Sequence, residues 1–368
     1  MTKINIENER RKRKYFEWLH NAKGLALSTI KGVEKAIWEW ESFTDMADFK
    51  NFNEDTAIAF KESLLQRKNT RSGKTLALST CQHYLNALSE FFLWLSSQPG
   101  YKSRIRLDKI AYLKLDRKQS KIASEPAVIE YPSLEQVQAV AVAIKIENEV
   151  DLRDRALMSF ALLSGMRVEA IMTLPLQCVD LDSMEIHQDP KQGVRTKFSK
   201  RNNSTLFNFD ATLTSYIVEW AEFLRKEKLF SPQDPFFPIT KIEQKSENDL
   251  IFVADKVHPQ FWKKTNSIRD IFTKRFKEAE IKYFPPHSFR HLAIRLAFGS
   301  CSTAEEIKAV SQNFGHENIA TTLMTYGTIR EDEVSSIIKK MDFSGDVKAE
   351  REEIDKIIAT LEKFKKNG

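Results

Sequence analysis

The chain has 368 residues, 42% of them hydrophobic, which is long enough for two domains or more and apolar enough for ordinary packed cores. Its 57 Lys and Arg against 51 Asp and Glu give a formal net charge of +6, a modest excess that suits a nucleic-acid partner where the cations cluster. Cys81, Cys178 and Cys301 are odd in number and far apart, arguing against a disulfide framework or a metal-ligand set, so no cofactor and no metal is expected.

The start, Met1-Thr2-Lys3-Ile4, lacks the apolar core of an export signal, and no run approaches the roughly 18 apolar residues of a membrane span. A cytoplasmic protein acting away from membranes is expected. The N-terminal third reads as helices. Ile30, Val33 and Ile37 recur at helical spacing with Trp38, Trp40 and Phe43 close behind, and Phe60 and Leu64 mark a second helix. Ser79-x-x-Gln82 has the form of a capping box, opening a third helix whose Tyr84, Leu88, Phe91 and Leu95 fall on one stripe. A charge run, Arg10, Arg11, Lys12, Arg13 and Lys14, stands in front of these helices. Another, Arg67, Lys68, Arg71 and Lys74, lies between the second and third. Alone, such runs are usually solvated faces.

After Gln98-Pro99-Gly100 the periodicity weakens. Lys102, Arg104, Arg106, Lys109, Lys114, Arg117, Lys118 and Lys121 there meet only Asp108 and Asp116. The expected division is a helical domain over 1–115, a basic linker over 116–132, a second domain over 133–345 and an amphipathic helix over 346–368. Cations in a linker suit a protein closing around a duplex, because each neutralised phosphate releases counterions without reading sequence.

Ser133-x-x-Gln136 caps the first helix of the second domain. Helices predominate there, but Val179 to Ile186 alternates apolar and polar around a short turn, and Thr205 to Phe209 alternates again. These segments predict a small antiparallel sheet, with Arg195-Thr196-Lys197-Phe198-Ser199-Lys200-Arg201 between them. Gly73-Lys74-Thr75 does not complete a phosphate-binding loop, because Lys68 stands where that loop needs glycine. Two-metal nuclease chemistry requires clustered carboxylates, which no segment near the cations supplies. His187 and His258 are isolated and expected to be structural or at the surface.

The most telling stretch comes late: His287-Ser288-Phe289-Arg290-His291, then Phe314-Gly315-His316, then Thr321-Thr322-Leu323-Met324-Thr325-Tyr326. Each residue alone has an ordinary structural explanation. In combination, imidazoles and a guanidinium around one phenol suit a phosphodiester, since a tyrosine in line with phosphorus can form a covalent phospho-enzyme that keeps the energy of the cleaved bond.

This array, with Leu163-Ser164-Gly165-Met166-Arg167-Val168 upstream, resembles the signature of the tyrosine recombinases, the phage-integrase family. The motifs span 133–329. Two positions depart from the family pattern: Ala170 stands where an acid is usual, with Glu169 nearest, and Phe314 replaces the leucine before Gly-His. The resemblance implies a mainly α protein: an N-terminal helical DNA clamp (core-binding, SAM-like) and a mostly helical catalytic domain with a small antiparallel sheet. It implies Tyr326 as nucleophile, His287 as base, and Arg167, Arg290 and His316 as donors to the non-bridging oxygens. Lys197, with Lys200 as competitor, would give the departing 5′ oxygen its proton. DNA contacts are expected from Arg10, Arg11, Lys12, Arg67, Lys68, Arg71, Lys74, Arg104, Arg106, Lys200 and Arg201.

The product would be a 3′-phosphotyrosine and a free 5′-hydroxyl, and reversal with another strand's hydroxyl would give strand exchange. Expected partners are double-stranded DNA with specific sites, further copies of the chain in a tetramer, and accessory DNA-bending proteins. A relaxing type IB topoisomerase and a non-catalytic DNA-binding regulator on the same scaffold are the alternatives. In the tail, Ile354, Ile357, Ile358, Leu361 and Phe364 form an apolar stripe that could dock on a neighbouring subunit or pack back on its own domain.

Overall fold

The computed structural model describes residues 4–69, 73–125, 129–244, 252–316 and 338–339. Arg71, Tyr326 and the apolar stripe of the tail lie outside the described residues. The chain divides into two compact units, Met1–Ala127 and Val128–Gly368. Among the described residues no helix is long and apolar enough to cross a membrane.

In the first unit four longer helices, α1 (Ile6–Asn21), α2 (Leu27–Phe43), α3 (Glu54–Gln66) and α4 (Leu78–Ser96), precede two short ones, α5 (Leu107–Ile110) and α6 (Arg117–Ser124). Their stripes close on an aromatic core in which Trp40 meets Phe60 and Phe92 edge-on at 5.2 and 5.1 Å between ring centroids. Such edge-to-face pairs add to the burial of apolar area, which is the main stabilising term.

Three features depart from the expectation. The run Arg10 to Lys14 lies inside α1, so the helix distributes its cations around the axis instead of presenting them together. The Ser79 to Gln82 box does not form: a backbone bond from Leu76 N to Arg67 O at 2.8 Å keeps the chain extended up to Ala77. The helix then begins at Leu78, leaving Ser79 already inside it. The segment expected as linker contains α6, nucleated by Asp116 and Gln119 in a true capping box and packed on α4.

The second unit opens with α7 (Leu134–Ala143), capped as expected by Ser133 and Gln136. Next is α8 (Glu149–Ser164), whose residues from Val150 onward are all buried except Arg155. A helix covered on every side is the hub of its domain. It packs against α7, α10 (Ala211–Glu222) and α12 (Pro286–Gly299). Near its N-terminus it carries a buried ion network. Arg275 of α11 (Thr265–Glu278) donates to Asp151 at 2.6 Å and to Asp154 at 2.7 Å, while Arg153 bonds Asp154, Pro238 O and Thr240.

The short helix α9 (Val168–Ile171) and strands β1 (Val179–Asp180), β2 (Glu185–Gln188) and β3 (Asn202–Thr205) follow α8. The strands form the expected antiparallel sheet in the order β1-β2-β3, with Gln188 opposite Asn202 and Glu185 opposite Thr205. β3 ends at Thr205, earlier than the alternation suggested, because Phe207 N binds Leu163 O at 2.8 Å and Phe207 stacks on Phe209. A second antiparallel pair, β4 (Ile239–Gln244) with β5 (Phe252–His258), was not expected. Helix α13 (Ala304–Asn313), capped by Thr303 and Glu306, leads into Phe314-Gly315-His316.

Candidate active site

Helix α8 ends at Ser164 because Gly165 turns into the left-handed region at φ 55°, and Arg167 then takes the position just before α9 with its side chain free of any capping bond to that helix. Phe314 requires the glycine as well. A β-carbon at position 165 would lie well inside contact distance of the Phe314 ring. That ring is 2% exposed, stacks on Phe207 at 5.0 Å and lies beneath the Arg290 guanidinium at 5.2 Å. The phenylalanine thus fills, with a flat cation-binding face, the space between Gly165 and Arg290.

Pro286 opens α12 in a position where a missing N–H costs nothing, and His287 and Arg290 follow, three apart and so on one helical face. Arg290, 3% exposed, donates from one terminal nitrogen to Gly165 O at 2.6 Å and from the other to Phe314 O at 2.8 Å and His316 Nε2 at 2.9 Å. Because an arginine can only donate, His316 accepts through Nε2 and is neutral there. Arg290 therefore joins the turn before Arg167 to the turn carrying His316, two stretches far apart in sequence.

Arg167, Lys197, His287, Arg290 and His316 line one cleft of about 680 Å³, together with Arg195, Lys200 and Arg201. The five candidate groups come from the turn after α8, the β2–β3 connection, α12 and the turn after α13. Crowding of positive charge has the expected effect on the imidazoles. His316 is pushed down to about 4 by burial first, then by Arg290, Arg167 and Lys197. His287 is lowered by desolvation, then by Arg290 and Arg167. His291 packs edge-on against His287 at 5.0 Å and is likewise pushed down to about 4, chiefly by burial. A net positive cleft with neutral imidazoles is built for an anion that accepts hydrogen bonds while one imidazole takes a proton.

The other cationic expectations separate. Lys68, Lys74, Arg104, Lys200 and Arg201 are exposed, and Arg10 is exposed although 3.7 Å from Glu7. Lys12 is only 13% exposed in its side chain and bonds Glu41 at 2.7 Å; Arg11 bonds Glu7 at 2.7 Å. Arg67 pairs with Glu39, and Arg106 with Asp108 at 3.0 Å. Lys12 and Arg11 are thus largely committed to carboxylates of their own unit, which the sequence run gave no means of seeing.

Several lining residues escaped the sequence reading. Gln188 and Asn202 face each other across the ladder at the mouth of the β2–β3 connection, and Thr196, Phe198 and Gln312 complete the wall. Ala170, at the position where an acid is usual in the family, is buried and also lines the cleft. Uncharged polar residues in short strands carry no motif signal, although Gln188 and Asn202 both fall in or beside the alternating segments.

The chain is similar to known proteins over most of its length. The tyrosine recombinase XerC of Histophilus somni (strain 2336) is 22% identical over 310 residues, covering 84% of this chain and 89% of that protein. A XerH site-specific recombinase bound to a palindromic difH substrate in a post-cleavage complex superposes with a TM-score of 0.58 at 17% identity, over 89% of this chain and 84% of that one. A lambda integrase tetramer bound to a Holliday junction gives 0.57 at 13% identity, over 84% and 77%. These structures share the fold. The model of the phage integrase family matches residues 133–333, more than half of the sequence and all five lining groups, and the chain therefore belongs to that family, the tyrosine recombinases.

Proposed function

We propose that this protein is a site-specific DNA recombinase that cuts and rejoins strands through a 3′-phosphotyrosine on Tyr326. The observation that carries the reading is the convergence of Arg167, Lys197, His287, Arg290 and His316 on one cleft from four separate stretches of chain. A phenol of ordinary pKa near 10 is only about 0.1% ionised at neutral pH, so its proton must leave as it attacks. His287, held neutral in the cleft, is the base. Arg167, Arg290 and His316 donate to the non-bridging oxygens as charge builds on them. The Tyr326 oxygen bonds to phosphorus, the bond to the 5′ oxygen breaks, and Lys197 protonates that oxygen, with Lys200 the competitor on the same connection.

In this reading the first unit is the core-binding clamp and the second the catalytic domain. The exposed cations Arg10, Lys68, Lys74 and Arg104 hold DNA backbone, with Lys200 and Arg201 beside the scissile phosphate. The working assembly is a cytoplasmic tetramer on paired sites, as in the lambda integrase tetramer on its Holliday junction, serving integration, excision or resolution of a mobile element.

The test is a supercoiled plasmid carrying two copies of the DNA that flanks the gene. Deletion or inversion between the copies is expected. Relaxation without recombinants would point instead to a type IB topoisomerase, and an unchanged plasmid bound by the protein to a non-catalytic regulator.

A further inference from the structure

Between Val194 and Ser204 no side chain is buried, although this span carries Lys197, Lys200 and Arg201 into the cleft. Phe198, its one large apolar residue, is 75% exposed. Packing therefore cannot hold the span in place, and an exposed connection of this length retains much conformational entropy unless its ends are tied.

On either side of the span a polar side chain from outside the sheet binds its backbone or the residue just beyond it. On the near side Thr173, 7% exposed and just beyond α9, donates its hydroxyl to Glu169 O at 2.8 Å and accepts from Arg195 N at 2.9 Å. That bond lies two residues before Lys197. On the far side Asn313, the last residue of α13, uses its amide as a strand would. Its Oδ1 accepts from Thr205 N at 2.6 Å and its Nδ2 donates to Thr205 O at 3.0 Å. Asn202 Nδ2 adds a bond to Asn313 O at 3.3 Å. Gly315, at φ 68°, lets the following turn press onto Asn202: a β-carbon there would meet that amide at 3.3 Å.

We propose that Thr173 and Asn313 are positioning residues that clamp the β2–β3 connection, Thr173 fixing it to the Arg167 side of the cleft and Asn313 to the His316 side. The inference rests on the reading of this connection as the source of the leaving-group proton. Its consequence is specific: loosening either tie impairs proton delivery to the 5′ oxygen and leaves attack by Tyr326 and stabilisation of the phosphoryl oxygens intact.

A 5′-bridging phosphorothiolate separates these steps. When the bond from phosphorus to sulfur breaks, the sulfur departs as a thiolate, whose conjugate acid has a pKa of about 8.5, so no proton donor is needed. Nicked suicide duplexes with bridging oxygen or sulfur are cut by full-length wild type, Thr173→Val, Thr173→Ser, Asn313→Ala, Lys197→Ala and Lys200→Ala, with DNA affinity of each variant as the check on folding.

On oxygen, Thr173→Val and Asn313→Ala are expected to cleave about tenfold or more slower, and Thr173→Ser at close to the wild-type rate. On sulfur, both slow variants and one lysine variant should return to within about threefold of wild type. Rescue of Lys200→Ala instead of Lys197→Ala leaves the clamp standing, because both lysines lie in the tied span. Rescue of neither lysine variant removes the acid from this connection and overturns the proposal together with that part of the mechanism. If a lysine variant is rescued while Thr173→Val and Asn313→Ala stay slow on sulfur, or if both cut oxygen normally, the clamp alone is wrong. Should Asn313→Ala fail to bind DNA, the Thr173 pair decides.

Discussion

Gly165 has two demands on it: a left-handed backbone and a neighbour, the Phe314 ring, with no room for a β-carbon. Gly193 shares only the first, at φ 87° with nothing within 4 Å of a β-carbon. Gly193→Ala should therefore cost about 1–2 kcal/mol of backbone strain, while Gly165→Ala adds an overpacking term of about 1–3 kcal/mol. Urea unfolding measures the difference. Gly165→Ala should also slow DNA cleavage, since Gly165 O anchors Arg290.

The histidines add a pH dependence. His291 and His316 sit at about 4 when folded, below the ordinary value of 6.5, so the unfolded chain binds more protons between those limits. Their contribution to stability is present above about 6.5 and lost as pH falls towards 4. Urea midpoints should drop over that window, and His291→Gln should shrink the drop; a drop of unchanged size would contradict the assignment.

At this scale the five groups that line the cleft were legible in sequence through the family motifs that carry them. Thr173, Gln188 and Asn313 were not, because a hydrogen bond from a neutral side chain becomes visible only when the fold brings its partner near. The pairing of Lys12 was hidden for the same reason, as Glu41 stands beside it only in three dimensions.

Among the elements, α8 is the buried hub of the second unit. Its ion network with Arg275 is buried, and a buried charge left without its partner is costly. Arg275→Met should destabilise by about 3–5 kcal/mol, readable in denaturant unfolding, and a value near zero would show the network to be dispensable. Sequence periodicity found α2, α3 and α4 of the first unit but not α1, and cap chemistry found the start of α7. It could not assign α8 a face, since a helix buried all round has none. It missed β4 and β5, where Lys241, Glu243, Asp255 and Lys256 interrupt a weak alternation. Composition suggested a flexible basic linker where α6 forms, because Asp116 and Gln119 form a capping box that charge counting ignores.

In the proposed function the molecule meets DNA through charge, and only cations that reach solvent contribute counterion release. Lys68→Ala or Lys74→Ala should each reduce the slope of log affinity against log salt by about one, whereas Lys12→Ala should leave the slope nearly unchanged while weakening the fold. The family membership was foreseeable from motif order. The proposed reaction turns on a single covalent bond. A nicked suicide duplex, whose short downstream fragment bearing the new 5′-hydroxyl diffuses away after cleavage, should trap the protein on DNA as an adduct stable to denaturant. Digestion and mass spectrometry of that adduct should place the 3′-linked nucleotide on Tyr326, and Tyr326→Phe should bind the duplex yet trap none. An adduct that persists in Tyr326→Phe, or its absence from wild type on DNA that the protein recombines, would contradict the account.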